Sequence, residues 1–277
     1  MAILHLLHAR FSAEHRSVAQ PTPAAGRFIG ALAGALIAQS TLPVHAMTPT
    51  PVDDADSYAE ARARLVEEIA ADVRMTAPYL GTDQLDPPVM DAIGRVPRER
   101  FVPPGLRWRA YGNHPLPIGG GQTISQPYIV AIMSHLIDIE PGDRVYELGT
   151  GSGYQAAVLG EMGAEVYSVE IVPELAERAA EILDVLGYDK VHVRAGDGYR
   201  GWPEAAPFDA IIVTAAGPEV PQPLVDQLKI GGRLVMPIGG IYEIQELTVL
   251  IKQPDGSLEQ RNVLPVQFVP ITGDGVD

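Results

Sequence analysis

From residue 57 onward the chain alternates between two hydrophobic periods. Tyr58, Ala61, Leu65, Ile69 and Val73 recur at helical spacing with acids and arginines between them, which predicts an amphipathic helix over residues 57–75. A second short helix is expected over 85–93, an irregular proline- and arginine-rich stretch over 96–109, and a flexible glycine turn over 117–125. Residues 126–137 follow as a helix with Ile129, Val130, Ile132, Met133, Leu136 and Ile137 to bury. After that, short apolar runs predict strands over 144–148, 165–170, 191–194, 210–213, 233–237, 247–252 and 266–269. Helical patterns over 154–162, 173–186 and 224–228 separate them, with Pro173 suited to a first turn. Strands alternating with helices imply a mostly parallel, doubly wound sheet covered on both faces, an α/β/α sandwich. Ligands on such sheets sit beyond the carboxyl ends of the strands.

One of these junctions carries chemistry. Val145, Tyr146 and Leu148 read as a buried strand that runs into Gly149-Thr150-Gly151-Ser152-Gly153 and then a helix. Glycines there let the backbone turn sharply and approach a ligand without a side chain in the way. Strand, glycine turn and helix start together make a nucleotide-type cofactor site. The dinucleotide spacing fails from Gly149, although Gly151-x-Gly153-x-x-Ala156 satisfies its looser form. Glu147, just before the turn, repels a diphosphate and attracts a sulfonium or amino group, which favours S-adenosylmethionine. Glu170 ends the second strand, where an acid can bind ribose hydroxyls; this feature does not discriminate between the two cofactor classes. Asp197, between Gly196 and Gly198, either faces an adenine edge or simply forms a turn.

Composition narrows the partners. A net charge of -15 and the absence of any basic run argue against a nucleic-acid backbone. With no cysteine there are no disulfides and no thiol chemistry. His114 lies between Asn113 and Pro115 and reads as a loop residue; with no second histidine at ligand spacing, no metal site is expected. Residues 1–56 stand apart as an N-terminal extension. Its apolar run over 28–42 follows Arg27 and precedes Val44-His45-Ala46, as in a cleaved signal for export to the periplasm. The run is short for a membrane span, and the long stretch before it, with Pro21 and Pro23, weighs toward a disordered cytoplasmic extension or a misassigned start.

The stretches Gly119-Gly-Gly-Gln-Thr-Ile-Ser-Gln-Pro127 and Glu147–Tyr154 together resemble the protein-L-isoaspartate O-methyltransferase family. Pro97-Arg-Glu-Arg-Phe-Val102, Gly196-Asp-Gly198, Phe208-Asp-Ala-Ile-Ile-Val213 and Gly231-Gly-Arg-Leu-Val235 extend the likeness over residues 57–273. The resemblance implies a Rossmann-like methyltransferase domain over 57–277 whose helical part, 57–137, caps the substrate side. It implies transfer of a methyl group from S-adenosylmethionine, without metal, to the free α-carboxyl of isoaspartyl residues in damaged proteins and peptides. The ester then recloses to a succinimide unaided, so that some chains return to aspartate. Ser125 matches the family's substrate-facing serine, with Thr123 and Gln126 beside it. Glu147, Gly149, Thr150, Gly151 and Gly153 match the first cofactor motif, Glu170 the ribose acid, and Asp197 and Gly198 the adenine-side pair. Val130 stands where some relatives carry a histidine, so any role of that imidazole is missing here. A monomer in the cytoplasm, without stable membrane insertion, is expected.

The chemistry suits these residues. A carboxylate with a pKa of about 4 is already ionised at neutral pH, so no general base is required. Ser125, placed where a helix begins, either caps that helix or helps its first-turn amides hold an anion. Two other readings stay open: methylation of a small-molecule acid in a closed pocket, and a silent protein that keeps the cofactor fold for binding.

Overall fold

The computed structural model describes residues 55–240 and 243–273. Helix α1 (Ala55–Leu80) outlasts its expected end because Thr76 and Leu80 continue the stripe of Leu65, Ile69 and Val73. Helix α2 (Pro87–Arg95) follows, and two 3-10 turns (Arg98–Arg100, Pro104–Arg109) occupy the irregular stretch. The expected flexible turn is instead an antiparallel hairpin of β1 (Leu116–Gly119) and β2 (Gln122–Ile124). Its glycines concealed a burial pattern in which Leu116, Ile118 and Ile124 face the core. Helix α3 (Pro127–Leu136) then enters the main sheet through β3 (Arg144–Leu148).

Helices α4 (Tyr154–Glu161) and α5 (Pro173–Val185) link β3 to β4 (Glu165–Glu170) and β5 (Val191–Ala195). The chain then crosses to β6 (Phe208–Val213), α6 (Gln222–Gln227) and β7 (Leu228–Ile238). Strands β8 (Gln245–Lys252) and β9 (Leu258–Val266) complete a seven-stranded sheet in the order β5-β4-β3-β6-β7-β8-β9. The pairs from β5 to β7 are parallel, and β8 runs antiparallel to both neighbours. The last strand was misplaced by the sequence pattern, since only Val266 of 266–269 belongs to it. Glu259, Gln260, Arg261 and Asn262 are exposed on this edge strand and read as polar loop.

The sheet order reverses direction between β4 and β6 on either side of β3, so a crevice opens at their carboxyl ends. Beyond β9 the backbone crosses this crevice: Ala216 N–H donates to Val269 at 2.8 Å and Ile271 N–H to Ala216 at 2.8 Å. One sheet face is packed by α1 to α5, the other by α6 and the Tyr146–Phe208 cluster. Among the described residues no helix is long and apolar enough to cross a membrane. Ile69 is fully buried where α1 meets this core. Ile69→Ala should cost about 2–5 kcal/mol, and denaturant unfolding should show a lower midpoint at unchanged slope.

Candidate active site

A cleft lies at that crevice, walled by the segments that follow β3, β4, β5 and β6. The hairpin supplies Thr123, Ile124 and Ser125, and the C-terminal crossing supplies Val269, Pro270, Ile271 and Thr272. Of the expected residues, Thr123, Ser125, Gly149, Thr150, Gly151, Glu170 and Gly198 meet on its wall. Val130 also lines it. Gln126, Glu147, Gly153 and Asp197 do not.

The turn after β3 is built on left-handed backbone, with φ of 97° at Gly149, 54° at Gly151 and 87° at Gly153. A side chain at Gly149 would meet Thr214 Oγ1 at 2.5 Å, whereas one at Gly151 would project beside Ile118 at 3.5 Å. Gly153 serves packing: its missing Cβ lets α4 approach Ala179 and Leu183 of α5. Glu170 fastens the turn, its Oε2 accepting Gly151 N–H at 2.7 Å and its Oε1 accepting Val172 N–H at 3.0 Å. Gly198 lies against Leu148, whose Cγ would stand 2.8 Å from an added Cβ. The Asp197 carboxylate accepts Tyr199 N–H at 3.0 Å, capping its own 3-10 turn (Gly198–Arg200), as the turn-forming reading expects.

Glu147 sits behind the wall, fully buried, and accepts a hydrogen bond from Ser168, which is bonded in turn to Thr150. Burial, reinforced by the nearby charge of Glu170 and opposed by Ser168, pushes its carboxyl up to about 8. The expectation of an exposed negative charge attracting a cation therefore meets a protonated acid out of sight of the cleft. Its carboxyl is linked to the turn through Ser168 and Thr150.

The start of α3 also differs from expectation. Gln126 is the N-cap residue, without a side-chain capping bond, and Pro127 takes the first helical position. Ile129 and Val130 donate to the Gln126 carbonyl, and Tyr128 N–H donates to Asn113 Oδ1 at 3.0 Å. The first-turn amides are thus occupied and do not hold an anion; Ser125, one residue earlier, is neither cap nor helix. Asn113 is in turn fixed by Asp72 of α1 at 2.8 Å. The sequence offered no spacing signal for Asn113, nor for the wall residues Val269–Thr272, which come from a distant part of the chain. His114 bonds its own loop at Pro115, and no metal-binding cluster occurs among the described residues.

Residues 81–275 match the family model described as protein-L-isoaspartate(D-aspartate) O-methyltransferase. A Syntrophobacter fumaroxidans protein named protein-L-isoaspartate O-methyltransferase 2 is 55% identical over 218 residues, covering 79% of this chain and 88% of the relative. A Gloeobacter violaceus protein-L-isoaspartate O-methyltransferase is 61% identical over 184 residues, covering 66% and 89%. Among solved structures, a protein-L-isoaspartate O-methyltransferase superposes with a TM-score of 0.67 at 29% identity, covering 78% of this chain and 67% of that one. The fold also matches a Plasmodium falciparum protein crystallised with S-adenosyl-L-homocysteine, with a TM-score of 0.62 at 24% identity over 78% of this chain and 98% of that one.

The buried acid leads to a pH test. A carboxyl that ionises near 4.5 when unfolded and near 8 when folded keeps its proton longer in the native state. Its contribution to stability is full below pH 4.5 and is lost as pH rises through about 8. Between these limits it should lower stability by up to about 1.4 kcal/mol per pH unit. Glu147→Gln should flatten that slope in unfolding measurements across the same window, and an unchanged slope would discount the buried proton.

Proposed function

The chain belongs to the protein-L-isoaspartate(D-aspartate) O-methyltransferase family, and from that premise we propose how its own residues serve the reaction. The activity is S-adenosylmethionine-dependent methylation of the free α-carboxyl of L-isoaspartyl residues in damaged proteins and peptides. The observation that carries the site assignment is the convergence of the hairpin's Ser125 with the glycine turn and Glu170 on one cleft.

The cleft suits the methyl donor on two grounds. Ile171 is 37% exposed on its wall, an apolar side chain suited to covering an adenine face. Beside it the Glu170 carboxylate, pinned by two amides, retains lone pairs that ribose hydroxyls could donate to. When bound, S-adenosylmethionine supplies an electrophilic methyl group on a positively charged sulfur. Gly149, Thr150 and Gly151 hold it from the turn side and Gly198 from the β5 side. Glu147, behind them, fixes Thr150 through Ser168, and Asp197 shapes the turn that carries Gly198.

Ser125 and Thr123 orient the substrate carboxylate, while Gln126 carries the backbone from the hairpin into α3. Among the described residues that line the cleft, only Glu170 and Tyr154 have titratable side chains, which is enough because the attacking oxygen is already an anion. The elements' task is orientation, worth up to roughly 7–11 kcal/mol in well-aligned systems. Residues 57–137 act as the substrate-side cap, because they bring both the hairpin and Ser125. An open cleft also favours a polypeptide substrate over a small enclosed acid. A monomer is supported by a cleft completed from one chain's elements, and a cytoplasmic site of action by where the methyl donor is made. The negative net charge supports polypeptide over nucleic acid.

Two peptides that differ only in aspartyl versus isoaspartyl linkage test the function. Labelled methyl groups should pass to the isomerised peptide alone, and equal labelling of both would refute the reading. Ser125→Ala should lower kcat/KM about 10- to 100-fold, the cost of one hydrogen bond to a charged group. The protein should still turn over, because the hydroxyl orients and does not attack.

A further inference from the structure

Among the largest side chains that this fold removes wholly from water is a cation, and it lies directly behind the cleft. Arg98 is 0% exposed in the 3-10 turn after α2. Its Nε donates to the Ala110 carbonyl at 2.9 Å and its Nη2 to the Ser125 carbonyl at 2.8 Å. The guanidinium carbon stands 4.7 Å from the centre of the Tyr154 ring, whose residue lines the cleft together with Ser125. Nη1 and the Tyr154 hydroxyl are both buried without a well-formed hydrogen bond, and the two groups interact electrostatically. No aspartate or glutamate among the described residues comes within 4.0 Å of this group. Burial lowers its pKa to about 10, so the charge persists at neutral pH.

A buried cation with no counter-charge is costly, and packing alone gives no reason to keep it. The surroundings supply one. The chain as a whole carries a charge of -15, and Glu170 faces the same cleft. An incoming carboxylate therefore approaches against the field of the protein, unless positive charge lies close to its seat.

We infer that Arg98 is the positioning residue that makes the Ser125 seat selective for an anion. It fixes the Ser125 backbone through the carbonyl and leaves its own charge to be balanced by the substrate carboxylate. This rests on the reading of the cleft as the isoaspartyl site. During transfer a carboxylate lone pair forms the new C–O bond, and the C–S bond breaks with its electron pair returning to sulfur. The ester produced is neutral, so the attraction that recruits the substrate is gone from the product. Because the carboxylate charge diminishes toward the transition state, Arg98 assists binding more than turnover.

The test compares two peptides by calorimetry in the presence of S-adenosylhomocysteine. One carries the isoaspartyl α-carboxylate and the other the matching α-carboxamide. Wild-type protein should prefer the carboxylate at least tenfold. Arg98→Met should abolish that preference and raise KM at least tenfold with kcat within about threefold of wild type, while Arg98→Lys should restore part of the preference. A merely structural arginine would weaken both peptides alike, and retention of the full preference by Arg98→Met would overturn the inference. Cofactor affinity and cooperative unfolding verify that each variant folds.

Should Arg98→Met fail to fold, the wild-type protein still decides. A buried charge is poorly screened, so the preference should persist when salt is raised from about 0.05 to 0.5 M. Its disappearance at high salt would assign it to surface charge and sink the proposal. If wild-type protein does not distinguish isoaspartyl from aspartyl peptides, it is the function that fails and not the role of Arg98.

Discussion

The cleft depends on one carboxylate gripping two backbone amides. Glu170 ends β4 and accepts from Gly151 on the neighbouring turn and from Val172 just ahead of α5. The turn's left-handed glycines are intrinsically loose, because glycine loses more backbone freedom on folding than any other residue. A charged acceptor bonded to an amide in a buried setting is among the stronger ties a protein can offer. It draws β3 and β4 together at the point where the sheet reverses direction. A substitution that merely loosened this tie would blur the cofactor side without disturbing the core.

The substrate side is held differently. Its segment passes between a hairpin and a helix and has no periodic structure of its own at Ser125. Arg98 from the preceding turn and Asn113 from the loop before the hairpin hold it at either flank, and Asn113 is tied back to α1 through Asp72. Helix α1, which touches neither cofactor nor substrate wall, thus contributes to the site through polar contacts as well as through the apolar stripe that seats it.

Much of this was legible in the residues. The strands β3 and β4 were located to the residue, because apolar runs bounded by proline and glycine leave little freedom in the ends. The hairpin was missed because its three consecutive glycines obscured the alternation of Leu116, Ile118 and Ile124. Strand β9 was missed because an exposed edge reads as polar. Within the site, glycines and acids at strand ends were found from spacing, but their depth was not. Glu147 and Glu170 lie on the same face of the sheet, but Glu147 is level with Ser168, two residues short of Glu170. That step along the strands encloses one acid below the wall and brings the other to the cleft. Arg98 looked like one of several arginines in an irregular stretch, and only packing reveals that it is enclosed.

The crossing of residues 269–272 over the strand ends has a consequence for how the molecule ages. This strap is joined to the rest by two bonds at Ala216, by the bonds of Phe268 to Gln245 at its start, and by apolar contacts of Val269 and Ile271. A single proteolytic nick after β9 would leave every strand paired while removing one side of the ligand's enclosure. Such a clipped molecule would melt much like an intact one yet no longer retain its donor, so conformational integrity and competence are separable properties in this protein.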